Sequence, residues 1–234
     1  MENPLIMLLK SRNLFWDRIS SKHDIGSTVL YLLLFITVSS AAYGAVLAGW
    51  RSPLLSFYVA IKMPILLLGT TTLVMLLNWI FAGMTGSGLS FKQVVAITYG
   101  AMGVTCWILL SLTPVTALFT FSVASGGTHA EQQLTHNYLL MAHIILIAFA
   151  GIAGNCALKQ GLDKTILHGC SARKIYWSWI ASFTIVGCQL SWILRPFIGS
   201  PFYAIEFMRP DALKRNFFEF IYTDVLPYII KGGS

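Results

Sequence analysis

Long apolar runs recur along the chain and alternate with short polar segments. A run of about 20 apolar residues can cross a bilayer as a helix. Five such runs occur, at about 27–49, 63–83, 93–123, 138–158 and 175–194. The pattern predicts an all-α, polytopic integral membrane protein. Its five-span membrane domain covers residues 25–194, between an N-terminal segment 1–24 and a C-terminal tail 195–234.

The two ends of the chain are too polar to span a membrane but carry regularly spaced apolar residues. Residues 3–19 include Lys10, Arg12 and Asp17. They predict an amphipathic helix that lies either on the membrane surface or on the protein's own end face. In the tail, Asp211 is expected to cap a short apolar helix over 212–225 that lies at the interface or packs on the spans.

Lys62 and Pro64 interrupt the second apolar run. Proline suits the first turn of a helix, so the pattern favours a break, with the span beginning near Met63 and residues 54–61 at the interface. Lys62 would then extend to the membrane boundary. The alternative is a buried Lys62 with a function, since charges within membranes usually have one.

Two further spans carry local signals. Pro114 is expected to kink or break the third span, with Ser111 or Thr113 meeting the freed carbonyl group. In the first span, Ser40 and Gly44 recur at the four-residue spacing that lets helices approach closely. This spacing favours packing within the chain over a dimerisation face. The polar residues 124–137 predict a loop outside the membrane.

Composition agrees with the pattern. Hydrophobic residues make up 56% of the chain, charged residues only 11%, and the mean hydropathy is +0.71. Soluble domains carry about 25% charged residues. The net charge of +7 comes from bases that flank the spans, where they fix topology and touch lipid head groups. They form no basic surface interleaved with aromatic residues, so nucleic acid is not an expected partner.

The distribution of basic residues predicts a cytoplasmic N-terminus. Most bases fall in the segments that would then be inside, whereas the first and third outside loops hold only Arg51. The tail conflicts with this orientation. It would be outside, yet it carries five bases: Arg195, Arg209, Lys214, Arg215 and Lys231. Either the tail re-enters the membrane or the span count differs by one.

No catalytic motif is present, so the sequence predicts neither an enzyme nor a cofactor. HExxH, GxSxG, P-loop and GxGxxG patterns are absent. Haem held in the bilayer needs paired histidines, and only His143 lies in a span. His129, Glu131 and His136 share a loop without a metal-site spacing. The cysteines form no CxxC pair and are expected to be small buried side chains: Cys106, Cys156, Cys170 and Cys188.

The spans contain polar residues but no carboxylate, which disfavours ion-coupled transport. Lys62, His143, Asn155 and Gln189 are the polar residues that could line a path through the membrane. They support one functional hypothesis, a channel or facilitator for a small or lipidic substrate.

The most unusual segment follows the last span and runs from Arg195 to Pro210, with three more aromatic residues by Phe207, and we call its first part, residues 195–201, the hook. Its prolines fix the backbone and its glycine permits a tight turn. The hook is a candidate binding site for a partner's membrane helix or for a lipid head group. The alternative is a structural plug that seals the outer end of the spans. The residues concerned are Arg195, Pro196, Phe197, Gly199, Ser200 and Pro201.

The segment GSGLSFKQVVAITYGAM and the order of the spans resemble the YIP-type family of five-span membrane proteins, including its bacterial relatives. The resemblance covers about residues 25–194. The segment RPFIGSPFYAIEFMRP resembles a signature of uncharacterised bacterial membrane proteins. These resemblances imply a non-enzymatic organiser with a cytoplasmic N-terminus, located in a bacterial inner membrane.

The main functional hypothesis is a non-catalytic polytopic membrane subunit. It would act as an adaptor, scaffold or assembly partner in a larger membrane complex. Its partners would be other membrane protein subunits and lipids, and the sequence leaves a homo-oligomer open.

Overall fold

The computed structural model describes residues 3–122, 129–167, 171–199 and 204–227. Within these ranges the chain forms helices and no strands. In chain order the helices are α1 (Pro4–Lys10), α2 (Arg12–Ser20), α3 (Ile25–Ala48), α4 (Pro53–Met84), α5 (Phe91–Ser122), α6 (His129–Thr165), α7 (Ala172–Leu194) and α8 (Phe217–Phe220). A single π-helical turn, Ile221–Val225, follows α8.

Five helices, α3 to α7, are long and apolar enough to cross a membrane. The prediction of a five-span integral membrane protein is confirmed at this level. The 32 residues of α4 and of α5 correspond to about 48 Å at 1.5 Å per residue. A hydrocarbon core is only about 30 Å thick, so these helices tilt or extend beyond it.

Helices α3, α4 and α5 form the centre of the bundle, α6 packs on α5, and α7 packs on α4. In the most apolar stretch, α5 is 61% buried, whereas α6 and α7 are 22% and 17% buried. The first residues of α4 and α6 meet the last residues of α3, α5 and α7 at one end of the bundle, which carries the hook. The N-terminal segment packs at the other end.

The small-residue face of α3 packs within the chain. A Cβ atom at Gly44 would lie 2.6 Å from the Val59 carbonyl oxygen and 2.7 Å from Met63 Cγ. The backbones of α3 and α4 therefore approach closely at this point, as the spacing of small residues predicts. Ser40, one turn earlier, is also fully buried.

The predicted break before Pro64 is wrong, because α4 runs without interruption from Pro53 to Met84. A proline inside a helix removes one backbone hydrogen bond. Tertiary contacts stabilise the helix here despite the lost hydrogen bond, since Val59 and Met63 pack against α3. Lys62 does not extend to the boundary, because its side chain is fully buried inside the protein.

Pro114 likewise lies inside a continuous helix. The hydroxyl groups of Ser111 and Thr113 donate to the carbonyl oxygens of Trp107 and Leu109, at 2.7 and 2.9 Å. The carbonyl that Pro114 frees belongs to Leu110, four residues before it. The prediction that Ser111 or Thr113 meets this carbonyl is wrong, because serine and threonine in helices donate back one turn.

Helix α6 is longer than the predicted span at both ends. Residues 129–137 are helical rather than a loop, and Gln133 donates to the side chain of Asn137 one turn later, at 3.1 Å. Residues 124–128 lie outside the described part of the chain. The helix continues to Thr165 because Leu162 is fully buried and Lys164 pairs with Asp17 at 3.0 Å.

The N-terminal segment forms two helices, separated at Ser11. Phe15 and Trp16 are fully buried. Trp16 fits against two glycines, since a Cβ atom at Gly100 or Gly161 would lie 2.9 Å from its ring. The segment therefore packs on α5 and α6, which is the second of the two predicted arrangements.

The prediction of a tail helix over 212–225 that is capped by Asp211 is wrong in the first residue of the helix and in the cap. Residues 211–214 form turns, and α8 begins at Phe217. Asn216 is the cap, because its Oδ1 accepts from the Glu219 backbone N–H at 2.7 Å. Asp211 forms an ion pair with Arg195 instead.

Candidate functional site

Lys62 anchors the end of the bundle that carries the hook. The Lys62 side chain is fully buried, and its Nζ donates to the Pro196 carbonyl oxygen at 2.9 Å. The same ammonium lies 5.1 Å from the ring centroid of Phe207 and 6.0 Å from that of Phe197. A buried cation is costly unless polar or aromatic groups stabilise it. Here those groups come from the hook and the tail.

The hook turns back onto the first turn of α4. Gly199 has a φ of +72°, and a Cβ atom there would lie 2.5 Å from Leu55 Cδ2. The positive φ favours glycine here, and the Leu55 side chain packs directly against its Cα. Trp50 Nε1 donates to the Ile198 carbonyl oxygen at 2.9 Å, and the Ile198 side chain enters the core with Leu55. The described part of the hook, residues 195–199, therefore covers the end of the bundle as a plug would.

Arg195 connects the last span to the tail. Its guanidinium Cζ lies 3.6 Å from the Trp192 ring centroid. Its Nη1 donates to the Trp192 carbonyl oxygen at 2.9 Å, and its Nη2 to Asp211 Oδ2 at 3.1 Å. Stacking and two hydrogen bonds together fix one orientation of this planar group. The turn at Asp211 is thereby held against the end of α7.

Two further side chains of α7 hold the tail. Trp192 Nε1 donates to the Arg215 carbonyl oxygen at 2.8 Å. Gln189 Oε1 accepts from the Phe217 backbone N–H at 3.0 Å. The tail is therefore docked on the spans along residues 204–220.

A cavity of about 280 Å³ lies between the hook, the start of α4 and the tail. Its wall carries charges of both signs, with two guanidinium groups and two carboxylates. Among the described residues that line it, none supplies a hydroxyl, thiol or imidazole side chain for nucleophilic catalysis. The lining comprises Arg51, Leu55, Pro196, Gly199, residues 204–206 and residues 209–211.

The structure brings four of the predicted partner-binding residues together, and their contacts are within the chain. Arg195, Pro196, Phe197 and Gly199 form the hook described above. Ser200 and Pro201 lie outside the described residues. Pro196 and Gly199 also line the cavity, so the hook forms part of its wall.

The four residues predicted to line a polar path do not converge. Lys62 and Gln189 contact the hook and the tail. His143 Nδ1, on α6, instead lies 3.4 Å from the Tyr43 hydroxyl on α3. Asn155 follows His143 on the same helix, about 18 Å further along its axis at 1.5 Å per residue. Lys62, His143 and Gln189 therefore contact different parts of the chain.

Sequence reasoning missed several residues of this end of the bundle. Glu206 carried no expected role, and Arg51 and Arg209 were counted only as bases that bear on the orientation of the chain. The available signal was the density of charged and aromatic residues between Arg195 and Arg215. Their arrangement around a cavity depends on the fold.

Asn78 is a second missed feature, within span α4. Its side chain is fully buried, and neither amide atom has a hydrogen-bond partner in the described part of the chain. In the sequence, the signal for this feature was a single amide side chain within an apolar run.

In the described residues, no group of three or more histidine, cysteine or acidic side chains is placed to hold a metal ion.

The hook, the buried Lys62 and the cavity of mixed charge make this end of the bundle the candidate functional site. Comparison of the chain with protein-family models, curated proteins and solved structures finds no match.

Proposed function

We propose that this chain is a non-catalytic membrane subunit that acts as an adaptor, scaffold or assembly partner in a larger membrane complex. The hydrogen bond between Lys62 Nζ and the Pro196 carbonyl oxygen carries the proposal. In transporters, charges within spans mark ion and substrate pathways. Here the charge in the span holds a loop in place, which supports a structural role.

A docked tail is well suited to binding another protein. Phe207, Met208 and Leu213 lie in it with 37%, 41% and 78% of their surface exposed. Exposed apolar side chains beside arginine are typical of protein interfaces. A surface that is already ordered loses little conformational entropy on binding. The partner we propose is another membrane protein subunit that contacts residues 204–215 at this end of the bundle.

A channel or facilitator has less support. The side chains that would form its path make separate contacts, at the hook, at Tyr43 and at the tail. A continuous path would bring them into one line through the bundle.

We also propose the bacterial inner membrane as the location, with a cytoplasmic N-terminus. The resemblances in the sequence and the positive-inside rule support this orientation. The bases of the tail count against this orientation, since acids contribute little to the rule, although Arg195 pairs with Asp211 and Arg215 pairs with Asp224 and Glu219. Exposed Ile6, Leu9 and Leu14 support contact of α1 and α2 with the interface.

Co-purification tests the proposal. The tagged full chain, extracted in mild detergent, is expected to carry a partner in constant stoichiometry. Charge reversal by Arg195→Glu should loosen that complex, because it breaks the contact with Asp211. Leu213→Glu should do the same without affecting the fold, since Leu213 is 78% exposed.

The matched control is Lys174→Glu, a charge reversal at the opposite end of α7. It should leave the complex intact. A wild-type chain that purifies alone as a monomer and conducts ions in liposomes would contradict the scaffold role. Retention of the partner by Leu213→Glu would contradict the proposed docking face.

A further inference from the structure

We propose that the end of the bundle opposite the hook binds the head groups of anionic phospholipids. We call it the basic end, and it comprises α1, α2, the first residues of α3, α5 and α7, and the last residues of α4 and α6. The proposal does not depend on the scaffold role, because the proposed partner face lies at the other end of the bundle. It assigns a lipid class to the contact of α1 and α2 with the interface.

Contacts within the chain gather these segments at one end. Gln93 Nε2, in the first turn of α5, donates to the Ser20 carbonyl oxygen at the end of α2, at 3.2 Å. Lys164, near the end of α6, pairs with Asp17 of α2 at 3.0 Å. Helix α7 packs on α4 in the antiparallel direction, so its first residues lie beside the last residues of α4. The charged side chains of these segments therefore lie at the same end of the bundle.

The basic end has a surplus of positive charge, with nine bases and three acids among its described residues. Two of the acids are already paired, Asp17 with Lys164 and Asp24 with Arg18. The side chains of the other seven bases form no hydrogen bond or ion pair within the described part of the chain. Unpaired charges of one sign attract ions of the opposite sign. The seven bases are Lys10, Arg12, Lys22, Lys92, Lys159, Arg173 and Lys174.

The hook end lacks this surplus. Its described residues include six bases and five acids, and ion pairs join Arg195 and Arg215 to three of the acids. An anionic ligand is therefore attracted more strongly to the basic end. The bases at the hook end are Arg51, Lys62, Arg195, Arg209, Lys214 and Arg215, and the acids are Glu131, Glu206, Asp211, Glu219 and Asp224.

Exposed apolar side chains lie among the unpaired bases, which favours a lipid over a soluble acidic partner. On α1, the exposed Leu9 directly precedes Lys10. On α7, the exposed Trp177 lies one turn after Arg173, on the same side of the helix. Aromatic and basic residues together are typical of the boundary between membrane and water. There the apolar part enters the membrane and the base reaches the head groups.

The surplus of bases selects the charge of the head group. A zwitterionic head group such as phosphocholine brings its own cation to the surface, and the unpaired bases repel that cation. An anionic head group brings a phosphate without an ammonium. Each base near an anionic membrane surface contributes about 1 kcal/mol of attraction. We therefore expect a preference for phosphatidylglycerol over phosphatidylcholine.

The lipid composition around the full chain tests the proposal. The chain is reconstituted in phosphatidylcholine bilayers with phosphatidylglycerol as the minor lipid, and it is extracted with its nearest lipids in polymer nanodiscs. Mass spectrometry then gives the lipid ratio. We expect phosphatidylglycerol to be enriched about fivefold over the bulk bilayer, the ratio that about 1 kcal/mol gives. At about 1 M salt the Debye length is only about 3 Å, so the enrichment should fall toward the bulk ratio.

The test variant combines Lys10→Gln, Lys92→Gln, Lys159→Gln and Lys174→Gln. All four side chains are exposed and have no ion pair in the described part of the chain, so the fold should be retained. The enrichment should fall by roughly twofold or more, because four unpaired bases lose their charge. The matched control places arginine at the same four positions and should keep the wild-type enrichment. Lys214→Gln, at an exposed position of the hook end, should keep it as well.

Three results would overturn the proposal. The first is a bulk lipid ratio around the wild type, or the same enrichment in the glutamine and arginine variants. The second is displacement of phosphatidylglycerol by equimolar soluble glycerophosphoglycerol, which would identify the ligand as a free phosphate ester and not a lipid. The third is loss of the enrichment on addition of polyglutamate at a salt concentration that preserves it otherwise, which would assign the basic end to an acidic protein.

Discussion

The Lys62 ammonium on α4 donates a hydrogen bond of 2.9 Å to the carbonyl oxygen of Pro196, 134 positions later in the chain. This contact joins the second span to the segment that follows the last one. It explains how a fully buried lysine is accommodated without a carboxylate partner among the described residues, since a carbonyl oxygen and two aromatic rings lie near the charge.

Lys62→Met is expected to loosen the hook while leaving the bundle folded. Methionine fills similar space but cannot donate to Pro196. A hydrogen bond to a charged group contributes about 1.5–3 kcal/mol, so amide hydrogen exchange in residues 197–199 should accelerate about tenfold or more. Exchange mass spectrometry provides the measurement. Lys92→Met, at an exposed position, is the control, and unchanged exchange in Lys62→Met would show that the hook is held by other contacts.

Gly44→Val is expected to destabilise the bundle by separating α3 from α4. Its Cβ would lie 2.6 Å from the backbone oxygen of Val59, and a backbone atom cannot rotate away. Overpacking of this kind costs about 1–3 kcal/mol. Thermal unfolding in detergent should show a lower midpoint. Gly151→Val is the control, because no atom of a neighbouring side chain or helix lies within 4 Å of a Cβ there. Equal midpoints for the two variants would contradict the close approach.

Trp16→Ala is expected to cost about 3–5 kcal/mol, the usual loss for a buried tryptophan. The fully buried ring packs on Gly100 and Gly161, so its removal should release α2 from α5 and α6. Chemical denaturation and protease cleavage within residues 3–24 measure the two effects. Leu14→Ala is the control because Leu14 is 56% exposed. If both variants behave alike, α2 is held mainly by the membrane and not by this contact.

The Asp24 carboxyl at the start of α3 is expected to titrate at low pH. A hydrogen bond from the Ser27 hydroxyl, helped by Arg18, holds the pKa of Asp24 below its ordinary value of 3.8. Because the folded-state pKa is lower than the unfolded one, the ionised group stabilises the fold above about pH 3.8. That stabilisation is lost as the pH falls through the folded-state pKa.

Carboxyl NMR of the protein in micelles measures this titration. Ser27→Ala should raise the pKa of Asp24, since the larger stabilising contact is gone. Ser21→Ala is the matched control, because its hydroxyl donates to the Arg18 carbonyl oxygen and not to Asp24. A pKa that Ser27→Ala leaves unchanged would contradict the assigned cause.

The spans were predictable because each one depends on local composition. Twenty consecutive apolar residues need no knowledge of neighbouring elements to be identified, and all five runs correspond to helices. The boundaries were less predictable. Helix α6 extends to Thr165 because Leu162 and Lys164 find partners on other elements.

The errors at Pro64 and Asp211 have a common cause. Both residues have strong local preferences, for a helix start and for a helix cap. Contacts of Val59 and Met63 with α3 hold the turn before Pro64 in the helix, and Arg195 pairs with the Asp211 carboxylate. Tertiary interactions therefore outweighed the local preference in each case.

The sequence by itself determined that this is a five-span helical membrane protein. The reason is that insertion of a helix into lipid depends on the apolar residues of that segment and not on its neighbours. Only the tertiary structure decided that Lys62 lies against Pro196, that α2 enters the core, and that Arg51, Arg209 and Glu206 surround one cavity. These contacts join residues far apart in the chain. Their energies depend on distances between helices, which no local pattern contains.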